Sequence, residues 1–146
     1  MSINELIKKG ILIEQATSRR EIEDLLKIVE RDFADSDSSD ISADWRFGIA
    51  YNAALKLATV LIRASGFRIK GQGHHMNVIA TIPYILGNDK QDDSDYLDTC
   101  RRKRNIVEYD YIGGVMEADV DELREFVMNF KMEVISWLQE NHHQLL

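Results

Sequence analysis

The sequence is poor in cysteine, proline and glycine. Its single cysteine, Cys100, excludes an intramolecular disulfide, and the expected location is therefore a reducing one, the cytoplasm. One proline and eight glycines in 146 residues leave long stretches without helix breakers, which favours helices over a sheet-rich fold. The N-terminal residues do not show the basic segment followed by an apolar segment that is typical of a signal peptide, so we expect none. No apolar run approaches the roughly 18 residues of a membrane span, so we expect none of these either.

Positive charge is also scarce. The 18 Lys and Arg residues are outnumbered by 25 Asp and Glu residues, which gives a net charge of −7. This balance argues against binding of duplex DNA along a wide basic surface. One segment departs from the average, because residues 101–104 read Arg-Arg-Lys-Arg. A local basic patch on an acidic protein indicates a focused anionic ligand or an acidic partner surface.

Helical periodicity is what the sequence has in quantity, and it predicts six helical segments. Two are short and four are long, with predicted bounds near residues 2–10, 18–34, 42–65, 74–86, 92–111 and 119–140. Residues 11–17 are predicted as a connector or a helix continuation, and residues 67–73 as a loop. We expect an all-α fold, an up-and-down four-helix bundle with one or two short extra helices, in a single domain over residues 1–146.

Local signals support several of these bounds. Ser2, Ser18 and Asp119 are each followed by a glutamate three residues later, which is the capping-box pattern of a helix start. Gly66 suits the position after a helix end. Pro83 should kink or end the fourth segment.

The fifth segment carries the clearest local conflict in the sequence. Its apolar stripe consists of Leu97, Cys100, Val107 and Tyr111. At about 100° per residue, Arg104 falls on the same stripe. An arginine among apolar residues is costly unless it meets an anion or several acceptors, and such conflicts tend to mark functional positions. The alternative is structural: an ion pair with Glu108, or a side chain that reaches the surface.

Polar and aromatic residues surround this arginine. Asn105 and Tyr109 are four residues apart and share a neighbouring face of the predicted helix. With Arg104 and Tyr111, they offer a guanidinium, an amide and two phenols. Arginine can hold a phosphate through two hydrogen bonds, and tyrosine can stack on a base. We therefore predict a ligand-binding site here, with Arg101 as a further member; the alternatives are a core role for Tyr111 and an interface role for Tyr109.

This arrangement resembles the HEPN superfamily of small α-helical domains. The family motif is Arg, a polar residue, a few more positions and then His, with a Tyr two residues later in the toxin–antitoxin branch. Arg104 and Asn105 match its first part and Tyr111 its last, whereas Tyr109 occupies the position of the His. Residues 50–55 and 73–76 also fit the family. The likeness spans about residues 18–140.

The resemblance implies a four-helix bundle that dimerises and places the motif in a cleft at the dimer interface. Many HEPN domains are metal-independent ribonuclease toxins, and others bind nucleotides or accompany minimal nucleotidyltransferases. The expected function is therefore an RNA-, nucleotide- or partner-binding module, a homodimer of a toxin–antitoxin or defence system, without cofactor or metal. The alternatives are an active metal-independent endoribonuclease and a purely structural or interaction bundle.

Tyr109 helps to decide between a binding module and an active ribonuclease. A histidine, with a pKa of about 6.5, exchanges protons near neutral pH, whereas a phenol with a pKa of about 10 is a poor base. We therefore expect weakened or no nuclease activity, with Arg104 and Tyr109 as the candidate catalytic residues. The resemblance also makes His75 a residue that could line the site or replace the missing His. The alternative for the pair His74 and His75 is one capping and one packing histidine.

Overall fold

Helices make up most of the protein, which confirms the all-α class. The structure is a computed structural model that describes residues 2–71, 74–109 and 114–146, with the backbone alone for residues 107–109. In chain order its elements are α1 (Ile3–Lys8), β1 (Leu12–Glu14), α2 (Arg19–Asp35), α3 (Ala43–Ala64), β2 (Phe67–Ile69), α4 (His75–Ala80), α5 (Ile82–Leu86), α6 (Gln91–Tyr109) and α7 (Glu117–Asn141), with short 3-10 turns at Asn88–Lys90 and His143–Leu145.

Serine side chains begin the first three α-helices. The hydroxyl groups of Ser2, Ser18 and Ser42 each accept a hydrogen bond from the backbone N–H three residues later, at 3.2, 3.1 and 3.3 Å. These bonds satisfy N–H groups that have no partner inside the helix. The predicted starts of these helices are confirmed.

The start of α7 differs from the prediction, which placed Asp119 at the cap with Glu122 as its box partner. The helix begins at Glu117, and the Asp119 carboxylate accepts a hydrogen bond of 2.9 Å from the backbone N–H of Met116. Asp119 is therefore the third residue of the helix rather than its cap. The first turn contains two acidic residues, Glu117 and Asp119, so the sequence alone did not show which of them lies nearer to the helix start.

Two short strands lie where a connector and a loop were predicted. Strands β1 and β2 pair antiparallel, with Leu12 opposite Ile69 and Glu14 opposite Phe67. Gly66, with a φ of 90°, ends α3 and turns the chain into β2. Strands of three residues are too short to show a period-2 pattern, which is why the sequence did not reveal them.

The predicted fourth helix is two helices. The chain breaks at Thr81, whose hydroxyl donates a hydrogen bond of 2.6 Å to the carbonyl oxygen of Val78. Pro83 then lies in the first turn of α5, where its missing N–H costs nothing. The expected interruption is confirmed, and it falls two residues before the proline.

Helix α3 is the centre of the core. It packs against α2, α6 and α7, and most of its residues between Phe47 and Ala64 are buried. By length and composition alone it could also cross a membrane, but 72% of its apolar window is buried inside the protein, as is typical of a core helix. Helix α7 packs an apolar stripe against it, formed by Leu123, Val127, Phe130, Val134 and Leu138.

Candidate functional site

Arg104 of α6 lies over the ring of Tyr51, a core residue of α3. The guanidinium carbon is 5.4 Å from the ring centroid, within the range of a cation–π contact. Tyr51 is only 1% exposed, whereas Arg104 is half-buried. The aromatic face explains how a charged residue can occupy the apolar stripe of α6. Arg104 makes a further polar or electrostatic contact as well.

His75, the first residue of α4, meets the same tyrosine. Its Nδ1 is 3.4 Å from the Tyr51 hydroxyl oxygen, a long hydrogen bond, and the two ring centroids are 6.1 Å apart at an angle of 47°. Arg104 and His75 therefore come from two different helices and share one buried phenol on a third. Of the residues that the sequence proposed, the structure brings these two together.

The charges of the three groups follow from this setting. Burial raises the pKa of Tyr51 to about 12, against the opposing effect of Arg104. Burial also lowers the pKa of His75, and the charge of Arg104 lowers it further. Near neutral pH the site therefore combines a protonated phenol, a neutral imidazole and a permanently charged guanidinium.

The basic segment 101–104 is partly paired with carboxylates of the same chain, and its predicted anionic ligand or acidic partner stays a prediction. Arg101 and Arg102 both pair with Asp98, at 2.9 and 3.5 Å, and Lys103 pairs with Asp119 at 2.9 Å. These pairs compensate much of the segment's charge within the chain. Arg101 still acts electrostatically on Tyr51 and His75, so it lies near the site.

Other candidate residues are less closely connected with this site. Asn105 is half-buried on α6. The side chains of Val107, Glu108 and Tyr109 and the whole of Tyr111 lie outside the described residues, so their predicted roles stay predictions.

His74 does not cap α4 with its side chain, although it occupies the residue before the helix. Its Nδ1 lies 2.5 Å from the carbonyl oxygen of Gly71 instead, and its ring meets that of His75 edge-on. His74 is thus the N-cap residue of α4, as the alternative interpretation of this pair expected, but its side chain makes no capping hydrogen bond. The same interpretation expected one packing histidine, and His75 packs against Tyr51.

A small cleft lies between α4–α5 and α6. Its volume is about 240 Å³, and Met76, Tyr84, Ser94, Asp95 and Asp98 are among the residues that line it. Met76 follows His75 in the chain, and Asp98 is the ion-pair partner of Arg101. Its lining includes two carboxylates and does not include His75, Arg101 or Arg104.

The described part of the chain contains no group of three or more His, Cys, Asp or Glu side chains that could hold a metal ion. Cys100 is buried, and burial raises the pKa of its thiol to about 11. A thiol with that pKa stays protonated at neutral pH, so Cys100 acts as a small apolar residue.

Tyr51 is the site residue that sequence reasoning missed, because its helical spacing with the apolar residues of α3 is typical of a core position. The phenol itself could have indicated that Tyr51 makes a polar contact. A phenol on a helix that is buried on nearly every side must find a hydrogen-bond partner for its hydroxyl group.

Comparisons of this chain with protein-family models, with curated proteins and with solved structures found no match.

Proposed function

We propose that this chain is a HEPN-like domain that binds the phosphate of an RNA or a nucleotide, with Arg104 as the main phosphate ligand. The observation that carries the proposal is the meeting of Arg104 and His75 on Tyr51. A guanidinium has five N–H donors in a fixed fork, so it can bind phosphate oxygens while it keeps contacts with the protein. A neutral imidazole beside it adds one more donor or acceptor.

The arrangement of the long helices supports the HEPN-like part of the proposal. Helices α2, α3, α6 and α7 are the long elements, and α3 packs against the other three. This is consistent with a four-helix bundle that carries three short helices and a two-stranded ribbon in the described part of the chain. The Arg104 motif lies on α6, the penultimate long helix, which is where HEPN domains carry theirs.

Binding with weak or no catalysis fits the proton-transfer groups of the site. Cleavage of RNA without a metal needs a base for the attacking hydroxyl group and an acid for the leaving oxygen. His75, with a lowered pKa, is a base at neutral pH but holds little of the imidazolium that an acid requires. Tyr109, in the place of the family His, is a poor base.

A second candidate function, a metal-independent endoribonuclease, is favoured by the position of His75 next to Arg104. In EDTA we expect slow cleavage of a fluorescent RNA at most. Loss of a positioned base typically costs 10²–10⁴-fold, so any cleavage should fall by about that factor in His75→Ala. The exposed His143 provides the matched control, because His143→Ala should cleave like the wild type.

The outcomes separate the candidates. Cleavage that persists in His75→Ala would exclude His75 as the proton-transfer group. The variant Tyr109→His restores the family motif and should raise the rate. An unchanged rate in that variant would count against the HEPN assignment.

We further propose that the protein forms a homodimer and that, within a toxin–antitoxin system, a nucleotidyltransferase antitoxin is its partner. Trp45 and Ile106 are large apolar residues that are 65% and 53% exposed, and Ile106 follows Asn105 on α6. Light scattering at micromolar concentration should give twice the 16.8 kDa mass of one chain. Ile106→Glu should give a monomer, whereas Met132→Glu, a matched change on α7, should not; a monomeric wild type would contradict the proposal.

A further inference from the structure

The buried hydroxyl group of Tyr51 needs a hydrogen-bond acceptor. It belongs to a side chain that is 1% exposed, and a buried O–H group needs an acceptor. In the described part of the chain, no buried polar side-chain atom lacks a partner. The partner of the Tyr51 hydroxyl is Nδ1 of His75.

The direction of this hydrogen bond follows from the chemistry of the two groups. The phenol keeps its proton at neutral pH because burial raises its pKa. A neutral imidazole has one nitrogen that donates and one that accepts. If Nδ1 accepts from the hydroxyl, the ring proton lies on Nε2. The reverse arrangement, with Nδ1–H donating to the phenol oxygen, would leave the buried hydroxyl proton without its acceptor.

We propose that Tyr51 is a positioning residue, which holds His75 in the tautomer with the proton on Nε2 and thereby gives the site an N–H donor beside Arg104. The ligand part of this inference rests on the proposed function. Such a site binds an oxyanion, namely a phosphate group, through the guanidinium fork and one neutral N–H. Histidine then contributes to binding by hydrogen bonding rather than by charge.

The groups around His75 maintain its neutral state. Arg104 and Arg101 act on it from α6, Lys56 from α3, and His74 from the preceding residue, and all of them disfavour a positive charge on its ring. Tyr51, the remaining neighbour on α3, is neutral as a phenol. A second N–H donor is therefore available at neutral pH without proton uptake.

The test is ¹⁵N NMR of the histidine rings at pH 7.5, with the His75 signals assigned by their absence in His75→Gln. In the wild-type protein Nδ1 should resonate as an unprotonated nitrogen and Nε2 as a protonated one. In Tyr51→Phe, which keeps the ring and removes only the hydroxyl group, the two tautomers should mix. Tyr84→Phe, a half-buried phenol in the neighbouring cleft, is the control and should leave the His75 signals unchanged.

The same variants should be titrated with adenosine 5′-monophosphate (AMP). Loss of an ordered donor corresponds to the net strength of one hydrogen bond, so Tyr51→Phe should weaken binding by roughly 3- to 10-fold. A wild-type ring with its proton on Nδ1, or a tautomer unaffected by Tyr51→Phe, would overturn the positioning role. The expected tautomer together with no AMP binding by the wild type would support the positioning role and overturn the proposed function instead.

Discussion

Arg104→Ala is expected to weaken AMP binding by roughly 10- to 100-fold, because hydrogen bonds to charged groups contribute about 1.5–3 kcal/mol. A ligand that binds only the folded protein raises its stability, by about 2.7 kcal/mol at a hundred times Kd. AMP should therefore raise the melting temperature of the wild-type protein and leave that of Arg104→Ala nearly unchanged. Calorimetric titration and thermal unfolding with and without AMP measure both effects.

The matched control is Arg102→Ala. Arg102 carries the same charge two residues away on α6, but its side chain is 64% exposed and pairs with Asp98. Its removal should leave AMP affinity within about threefold, because exposed ion pairs contribute roughly 0–1 kcal/mol. Equal losses in the two variants would indicate a diffuse charge effect and would contradict a specific site at Arg104.

The structural alternative for Arg104 is tested by Arg104→Met. Replacement of a buried charge by an apolar side chain can be neutral or stabilising when the charge serves only the fold. A wild-type protein whose melting temperature does not respond to AMP, beside an Arg104→Met variant of equal or higher stability, would favour the structural bundle.

Arg63→Ala is expected to cost about 1.5–3 kcal/mol of unfolding free energy, the largest effect on stability that we expect from a polar residue. Arg63 of α3 is 7% exposed, and its Nε pairs with Glu21 of α2 at 2.8 Å. Its other nitrogens donate to the carbonyl oxygens of Gln15, Phe67 and Ala16, at 3.1, 2.6 and 2.9 Å. The substitution removes the donor to one carboxylate and three carbonyl oxygens together with the packing of the Arg63 stem, which urea unfolding followed by circular dichroism will measure.

Arg20→Ala is the corresponding surface control. Arg20 lies on α2 and is 89% exposed, with a distant partner, Asp24, at 3.9 Å. Its loss should change stability by no more than about 0.5 kcal/mol. If Arg63→Ala is as mild as Arg20→Ala, Arg63 does not hold β2 and the segment before α2 onto α3.

The helices were predictable because their signals are local. The serine caps of the first three helices, the stripe on α7 and the break near Pro83 can each be read from a few neighbouring residues. The two strands were not predictable, since each is three residues long and forms only by pairing with a partner far away in the sequence. The start of α7 was misplaced because Asp119 and its neighbour Glu117 both suit a first helical turn.

The site was predictable in part, and the reason is again the distance along the chain. Helical phase identified Arg104 as an anomaly within one helix. What it meets depends on how α3 and α6 pack, and no local pattern shows that Tyr51 lies under the guanidinium. The ion pair of Arg101 with Asp98 lies within one helix and could be read from the sequence. The ion pair of Lys103 with Asp119 joins two helices and could not.

The measurement that most directly tests the central claim is an NMR titration of the ¹⁵N-labelled wild-type protein with AMP. The account predicts that the Nε–Hε signal of Arg104 and the ring nitrogens of His75 shift together with one Kd. The Nε–Hε signal of Arg102 should stay in place, and adenosine, which lacks the phosphate, should move neither Arg104 nor His75. Saturating AMP that leaves Arg104 and His75 unshifted, or adenosine that shifts them equally, would contradict a phosphate site formed by these residues on Tyr51.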